Sequence, residues 1–249
     1  MNLDEVAGRL GRAARITVLT GAGVSAASGI PTFRGENGLW RKVRAETLAT
    51  PEAFASDPKL VWEWYDWRRG MIAGATPNAA HHVLADWTRK RPGFTLVTQN
   101  VDGLHERAGT ERLVRLHGSI WRVRCWAGCP AGRRDWEDLA TPQPRLPPQC
   151  PHCGAIVRPA VVWFGESLDP ADVAAATKAC ACDVFLAIGT SAIVYPAAGL
   201  VHHAKRHGAL TVEINPVETD ASRAVDVSIR GKAEDVLADL ASAVGGPPG

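Results

Sequence analysis

Arg15-Ile-Thr-Val-Leu-Thr20 empties into Gly21-Ala22-Gly23, and the glycines give way to the small residues Ser25, Ala26, Ala27 and Ser28. The first stretch has the β-branched, apolar composition of a buried strand. The small residues after Gly23 suit a helix start that a ligand can approach closely. A strand, paired glycines and a helix start together aim backbone N–H groups and a helix dipole at a phosphate. The spacing departs from the usual dinucleotide fingerprint: Gly21, Gly23 and Gly29 make G-x-G-x5-G, and no acidic residue stands about 20 positions on to hold a ribose. A tight connection without a ligand is the other reading of these residues. The continuation Pro31-Thr-Phe33-Arg34 carries an aromatic ring and a cation onward, the equipment of a nucleotide site with a lid.

On either side, the chain alternates between strand and helix patterns. Leu3, Val6, Ala7 and Leu10 recur at helical spacing within residues 2–13. Residues 35–46 have no clean period and read as a loop beside the glycine turn. Thr50-Pro51 and Asp57-Pro58 open two helices, the second carrying Trp62, Trp64, Tyr65, Trp67 and Arg68. Thr76-Pro77 opens another, ended by Pro92-Gly93. Phe94–Thr98, Asp183–Ile188, Leu210–Asn215 and Val225–Ile229 read as strands, and Val161–Glu166 as a short strand or extended loop. Helical patterns span Asp169–Cys180, Pro196–His207 and Ala233–Val244. Such alternation predicts an α/β fold around a doubly wound parallel sheet. Polar residues follow the strands: Gln99-Asn100-Val101-Asp102, His117-Gly118-Ser119 and Gly189-Thr190-Ser191. The carboxyl ends of parallel strands are where open α/β sheets place their chemistry.

With 249 residues the chain makes one large domain or a core domain with a smaller insert. Its 28 Lys and Arg against 26 Asp and Glu leave a net charge of +2, which is no electrostatic footprint for nucleic acid. No apolar run approaches the ~20 residues of a membrane span. The opening Met-Asn-Leu-Asp4-Glu5 has early acids and no apolar core, so neither a secretory signal nor a transit peptide is expected. The expected location is the cytoplasm.

Four of the six cysteines form two close pairs, Cys125-Trp-Ala-Gly-Cys129 and Cys150-Pro-His-Cys153, with 20 residues between them. In a cytosolic protein, thiolate pairs so spaced read as a tetrahedral zinc site. Buried free thiols are the alternative. Four sulfur ligands leave no position for water, so the metal would be structural. The Pro-rich stretch Thr141–Pro148 would be a loop held by that metal, and Cys180 and Cys182 read as ordinary buried cysteines.

Gly21-Ala22-Gly23, Arg34, Gln99-Asn100-Val101-Asp102, His117-Gly118-Ser119, Gly189-Thr190-Ser191, Glu213-Ile-Asn215 and the four cysteines together resemble the sirtuins, the NAD-dependent protein lysine deacylases. The resemblance runs from about residue 15 to 240. It implies a Rossmann-like NAD-binding domain over residues 1–34, 76–122 and 156–249. A smaller zinc-binding domain would take residues 35–75 and 123–155. It further implies that Gly21, Ala22, Gly23, Ser25 and Arg34 hold the pyrophosphate and ribose of NAD, while Phe33 shields the reactive C1′. Gln99, Asn100, Val101 and Asp102 would line the nicotinamide and ribose pocket. Gly189, Thr190, Ser191, Asn215 and Ala233 would meet the adenosine side. His117 would act as general base, with Asn100 and Asp102 beside it. Val162, Phe164 and Gly165 resemble the stretch that pairs with the substrate backbone. The first knuckle is C-x3-C where many sirtuins have C-x-x-C, and Val24 replaces the family's usual isoleucine.

Tyr65 and Arg68 stand three apart on an expected helix and so share a face. A phenol and a guanidinium side by side can receive a carboxylate; a solvated face is the alternative. Tyr-x-x-Arg resembles the signature of the sirtuin branch that prefers succinyl- and malonyl-lysine. The small Ala49 leaves an acyl tunnel room for the longer chain. Expected partners are therefore NAD and acylated-lysine proteins or peptides. The same site could serve an ADP-ribosyltransferase or a non-catalytic NAD or acyl-lysine binding module, whereas the glycine spacing and the zinc knuckle disfavour a hydride-transferring dehydrogenase.

Overall fold

A computed structural model describes residues 2–31, 39–40, 43–190, 197 and 199–245. The chain opens with α1 (Leu3–Arg12), fastened by a capping box in which Asn2 and Glu5 exchange side-chain and backbone bonds. It enters β1 (Ile16–Thr20) and then a 3-10 turn over Ala22–Ser28 closed by Gly29, where an α-helix start was expected. Within the stretch expected as a loop, β2 (Leu39–Trp40) and β3 (Val43–Arg44) pair antiparallel. Next come α2 (Ala45–Leu48), α3 (Pro51–Ser56) and α4 (Pro58–Gly74). Thr50 and Asp57 cap α3 and α4 through their side chains, with proline in the first turn of each. The cap of α5 (Ala79–Lys90) is Asn78, just beyond the expected Thr76-Pro77, because its side chain accepts from the Ala80 amide. The remaining elements are β4 (Phe94–Thr98), α6 (Leu104–Arg107), β5 (Leu113–Arg115), β6 (Gly118–Cys125), β7 (Trp136–Glu137), β8 (Val157–Val161), α7 (Pro170–Ala179), β9 (Val184–Ile188), α8 (Gly199–Arg206), β10 (Leu210–Asn215), β11 (Val227–Arg230) and α9 (Ala233–Gly245).

Six of these strands form a parallel sheet in the order β11-β10-β9-β1-β4-β5. Side chains alternate across it, and the two faces build two cores. Ile16, Val18, Phe94, Leu96, Val184, Leu186 and Ile188 pack with α1, α5 and α9. Leu19, Val97, Phe185 and Ala187 pack on the other face with α7 and α8. Chain order runs outward from β1 to β4 and β5, then returns to β9 on the other side of β1. The switch point therefore lies between β1 and β9, the position at which open α/β sheets leave a crevice.

A third core lies off the sheet. Phe54, Val61, Trp62, Trp64, Tyr65 and Ile72 of α3 and α4 pack against Ile120, Val123, Val157 and Val161 of the antiparallel sheet β7-β6-β8. Arg69 pins this contact from inside. It is 0% exposed, lies between the Trp62 and Trp121 rings, and donates to the Ile120 carbonyl at 2.8 Å and to Asp138 at 3.2 Å. Among the described residues, no helix is long and apolar enough to cross a membrane.

Candidate active site

Gly21, Gly23, Ser25, Gln99, Asn100, Asp102, His117, Gly189, Thr190 and Asn215 gather where β1, β4, β5, β9 and β10 end. Gly21 and Gly189, which follow β1 and β9, touch at the switch point. A Cβ on Gly21 would lie 2.8 Å from the Gly189 carbonyl oxygen, and one on Gly23 would lie 2.7 Å from the Gly189 Cα. Gly189 itself has φ +58 and sits against Gly23 and Val24. The glycines are thus required by contact between two loop backbones. This changes the expected role of their amides: Gly21 N–H donates to the Ile188 carbonyl at 3.1 Å and Gly23 N–H to the Gly189 carbonyl at 2.8 Å. Both are spent inside the protein rather than aimed at a phosphate.

Around this contact the polar side chains form one network. Gln99 Nε2 donates to Thr190 Oγ1 at 2.8 Å, and Asn215 Nδ2 donates to the Thr190 carbonyl at 3.0 Å. Asn100 Nδ2 donates to the Gly21 carbonyl at 3.0 Å and reaches Ser25 Oγ at 3.3 Å. Ser25 in turn donates to Asp102 at 2.8 Å. Burial pushes the Asp102 carboxyl above its ordinary range, although the Leu104 amide and the Ser25 hydroxyl both donate to it. His117 Nδ1 lies 3.0 Å from the Gln99 carbonyl oxygen. A carbonyl can only accept, so Nδ1 carries the proton and Nε2 keeps its lone pair. Burial lowers the imidazole pKa below 6.5, with the bond to Gln99 opposing it. A neutral imidazole with a free Nε2 is equipped to take a proton at neutral pH.

Beside His117 runs the expected substrate stretch, and only Val161 of it belongs to β8. Residues 162–166 continue as extended chain and a turn. The Val162 amide donates to the His117 carbonyl at 3.0 Å and the Phe164 amide to the Ala49 carbonyl at 2.9 Å. These two bonds bring Ala49 and His117 to the same short segment, while Phe164 projects outward, 46% exposed. Tyr65 and Arg68 are buried on α4, contrary to a solvated face. Arg68 lies 5.3 Å from the Trp64 ring centroid. Burial raises the Tyr65 phenol to about 12 despite opposing influences from the Trp163 hydrogen bond and the Arg68 charge.

The four expected metal ligands converge. The sulfurs of Cys125, Cys129, Cys150 and Cys153 lie within 4.8 Å of one another, with 3.6 Å between Cys125 and Cys153 and 3.8 Å between Cys129 and Cys150. Tetrahedral Zn–S bonds of about 2.3 Å put sulfurs roughly 3.8 Å apart, so the cage fits zinc. A Cβ on Gly132 would come within 3.0 Å of the Cys129 and Cys150 sulfurs, which keeps that side of the cage bare.

Known proteins carry the same organisation. The Sir2 family model matches residues 21–196. The chain belongs to the Sir2 family. An NAD-dependent protein deacylase of Aquifex aeolicus is 51% identical, over 89% of this chain and 92% of that protein. A Methylococcus capsulatus protein of the same name is 48% identical over 97% and 96% of the two chains. The solved structure of a Sir2 homologue–NAD complex superposes with a TM-score of 0.91 at 44% identity, covering 97% of this chain and 93% of that one. A Sir2 complex with a p53 peptide and NAD+ superposes at 0.86 with 27% identity, covering 97% and 98%.

Within this sirtuin framework, the remaining expected residues stand as follows. Phe33, Arg34 and Ser191 lie outside the described residues. Val101 is a core residue whose carbonyl accepts from the Ile120 amide, and Ala22 sits half-buried in the 3-10 turn. Ala233, the first residue of α9, is buried in the core on the α1, α5 and α9 face; it is the Gly231 amide that reaches the Asn215 carbonyl, at 3.3 Å. The structure also adds residues that the motifs did not single out. His81 reaches Ser25 from α5 at 3.5 Å, and His105 reaches Thr20 from α6 at 3.0 Å. Trp163 donates to Tyr65, and Arg158 grips Glu166. Neither histidine carries a motif of its own that would have found it.

Proposed function

We propose that the chain is an NAD-dependent protein lysine deacylase preferring succinyl- and malonyl-lysine, with acetyl-lysine also accepted, and that it releases nicotinamide and O-acyl-ADP-ribose. One observation carries the catalytic half: His117 presents an unprotonated Nε2 beside a polar ring made by Gln99, Asn100, Ser25 and Asp102. NAD, as co-substrate, supplies an electrophilic sugar carbon and a good leaving group. The residues supply the rest. Asn100 and Asp102, with Gln99, Thr190 and Asn215 behind them, hold ribose and nicotinamide in register. His117 Nε2 would take a proton from a ribose hydroxyl so that its oxygen can bond to the acyl carbon, while the amide C–N bond breaks, the lysine nitrogen leaves as the amine and one water supplies the oxygen gained overall. The stretch Val162–Gly165 receives the peptide. With the Val162 and Phe164 amides already engaged, main-chain pairing falls to their carbonyl oxygens, which accept no hydrogen bond among the described residues. We take residues 35–75 and 123–155 as the smaller domain, with Cys125, Cys129, Cys150 and Cys153 holding one structural zinc; a full sulfur shell leaves that metal no open position for chemistry.

The acyl preference rests on Tyr65 and Arg68. A buried guanidinium beside a phenol attracts the carboxylate of a dicarboxylic acyl group, whereas an acetyl group presents no anion to either. A mass-spectrometric screen of one peptide bearing different lysine acyl groups, with NAD, tests the reading directly. Arg68→Met should cost about 2–4 kcal/mol in kcat/KM for succinyl-lysine and little for acetyl-lysine. Equal losses on both substrates, or none on either, would show that Arg68 does not read the acyl carboxylate.

A further inference from the structure

Behind Tyr65 stands a relay of buried groups. Trp163 is 2% exposed, and its indole N–H donates to the Tyr65 hydroxyl oxygen at 2.7 Å. An indole nitrogen has a proton to give and no lone pair to offer. The direction of this bond is therefore settled: the Tyr65 oxygen accepts and its own proton is left to donate. Among the described residues no acceptor takes that proton.

Trp163 is itself held on several sides. The Arg158 guanidinium lies 3.4 Å from the Trp163 ring centroid. It donates to both Glu166 carboxylate oxygens, at 2.5 and 2.8 Å, and to the Val161 carbonyl at 2.9 Å. Glu166 closes the circuit by accepting from the Trp163 backbone amide at 2.8 Å. Phe54 of α3 packs against the ring, centroids 5.2 Å apart. Arg158 is 3% exposed, and a buried cation persists only when paired as fully as this one. The clamp spans the turn that carries Phe164 and Gly165, so it sets the peptide stretch and the indole together.

We infer that Trp163, held by the Arg158–Glu166 clamp, is a positioning residue for acyl specificity: by occupying the acceptor side of the Tyr65 hydroxyl, it commits that hydroxyl to donate to an acyl carboxylate. The inference rests on the reading of Tyr65 and Arg68 as the carboxylate receptor. A carboxylate only accepts, so a Tyr65 hydroxyl free to choose its direction serves it less well. An acetyl group has no carboxylate to present, and its turnover is indifferent to that choice.

The test compares kcat/KM for succinyl- and acetyl-lysine forms of one peptide in four proteins: the natural chain, Trp163→Phe, Tyr65→Phe and the double variant. Phenylalanine keeps an aromatic ring under Arg158 and removes the N–H together with part of the ring system, so Glu166→Gln serves as the variant that leaves the indole in place. The succinyl-to-acetyl ratio should fall about tenfold or more in Tyr65→Phe, as loss of a hydrogen bond to a charged group implies, and should fall in the same direction in Trp163→Phe. In the Tyr65→Phe background, Trp163→Phe should change the ratio no further, because its route of action is gone. Glu166→Gln, which keeps the clamp's size and removes its charge, should lower the ratio more mildly and answers the question if Trp163→Phe does not fold. A ratio that falls in Tyr65→Phe but stays unmoved in Trp163→Phe and Glu166→Gln overturns the inference alone. Independent, multiplying effects in the double variant do the same. A ratio unmoved by Tyr65→Phe overturns the carboxylate reading and the inference with it.

Discussion

His117 gains its chemistry from a backbone carbonyl. The Gln99 oxygen claims Nδ1–H and so leaves Nε2 unprotonated, while burial keeps the ring from acquiring a second proton. For the proposed general base the active form is the neutral one, and a pKa depressed below 6.5 extends that form to lower pH. The acid limb of a kcat/KM profile should accordingly have its midpoint below pH 6.5; a midpoint above it would contradict the neutral base. His117→Ala should cost on the order of 10²–10⁴ in turnover while leaving NAD binding measurable by calorimetry. Retention of near-natural turnover would remove His117 from the mechanism. At this scale the sequence offers candidate residues but not how their bonds are spent. His-Gly-Ser after a strand marks a candidate base, yet the tautomer depends on a carbonyl 18 positions earlier. Gly21 and Gly23 read as phosphate amides because Gly189, which consumes the Gly23 amide, is distant in the chain and arrives only through the β9 crossover.

Among the elements, those set by capping and by simple alternation were legible, and those set by distant contacts were not. Thr50-Pro51 and Asp57-Pro58 announce α3 and α4 because each cap bond closes within three residues. The strand β6 was hidden: its pairing with β8 shifts register between Ser119 and Val123, so its buried positions do not alternate. That bulged strand ends at Cys125 and thereby delivers it to the cysteine cage. Because the ribbon's sheet packs against Trp62 and Phe54 of the helices, losing the metal should loosen more than the loop itself. We expect one zinc per chain by metal analysis. Stripping it with a strong chelator should lower Tm by about 10 °C or more and abolish turnover, with recovery on adding zinc back. Cys150→Ser should reproduce the stripped state. A Cys150→Ser protein with natural Tm and activity would show that the cage does not hold the ribbon.

For the molecule as a whole, the parallel sheet was readable because its strands are short apolar runs between well-marked helices. The join beneath the site was not, because it depends on two buried histidines from different helices. His81 and His105 are almost wholly buried, with ring centroids 4.9 Å apart. His81 Nδ1 accepts from the Asn78 amide, so its proton sits on Nε2 toward Ser25. Thr20 gives its own proton to Thr98, so His105 Nε2 must donate to Thr20, and His105 Nδ1 has no partner among the described residues. Among the described residues neither ring has an ion-pair partner that would stabilise a second proton. Burial is the main cause, and a nearby imidazole adds to it, that of His82 for His81 and that of His81 for His105: His81 falls to about 4 and His105 to about 3. Both folded pKa values lie below the ordinary 6.5, so below pH 6.5 the unfolded chain binds more protons than the folded one. Stability is then complete above pH 6.5 and declines as pH falls toward 4 and 3. Between pH 7.5 and 5.5 each histidine should cost about 1.4 kcal/mol, together about 3 kcal/mol, or roughly 6–12 °C in Tm. His105→Gln retains a donor for Thr20 but cannot titrate. Its Tm should fall less with pH than that of the natural chain, by the roughly 3–6 °C that correspond to the 1.4 kcal/mol assigned to His105. Acid effects on the cysteine cage are common to both proteins and cancel in the difference. Equal pH dependence in the two would show that His105 does not carry the acid sensitivity of this join.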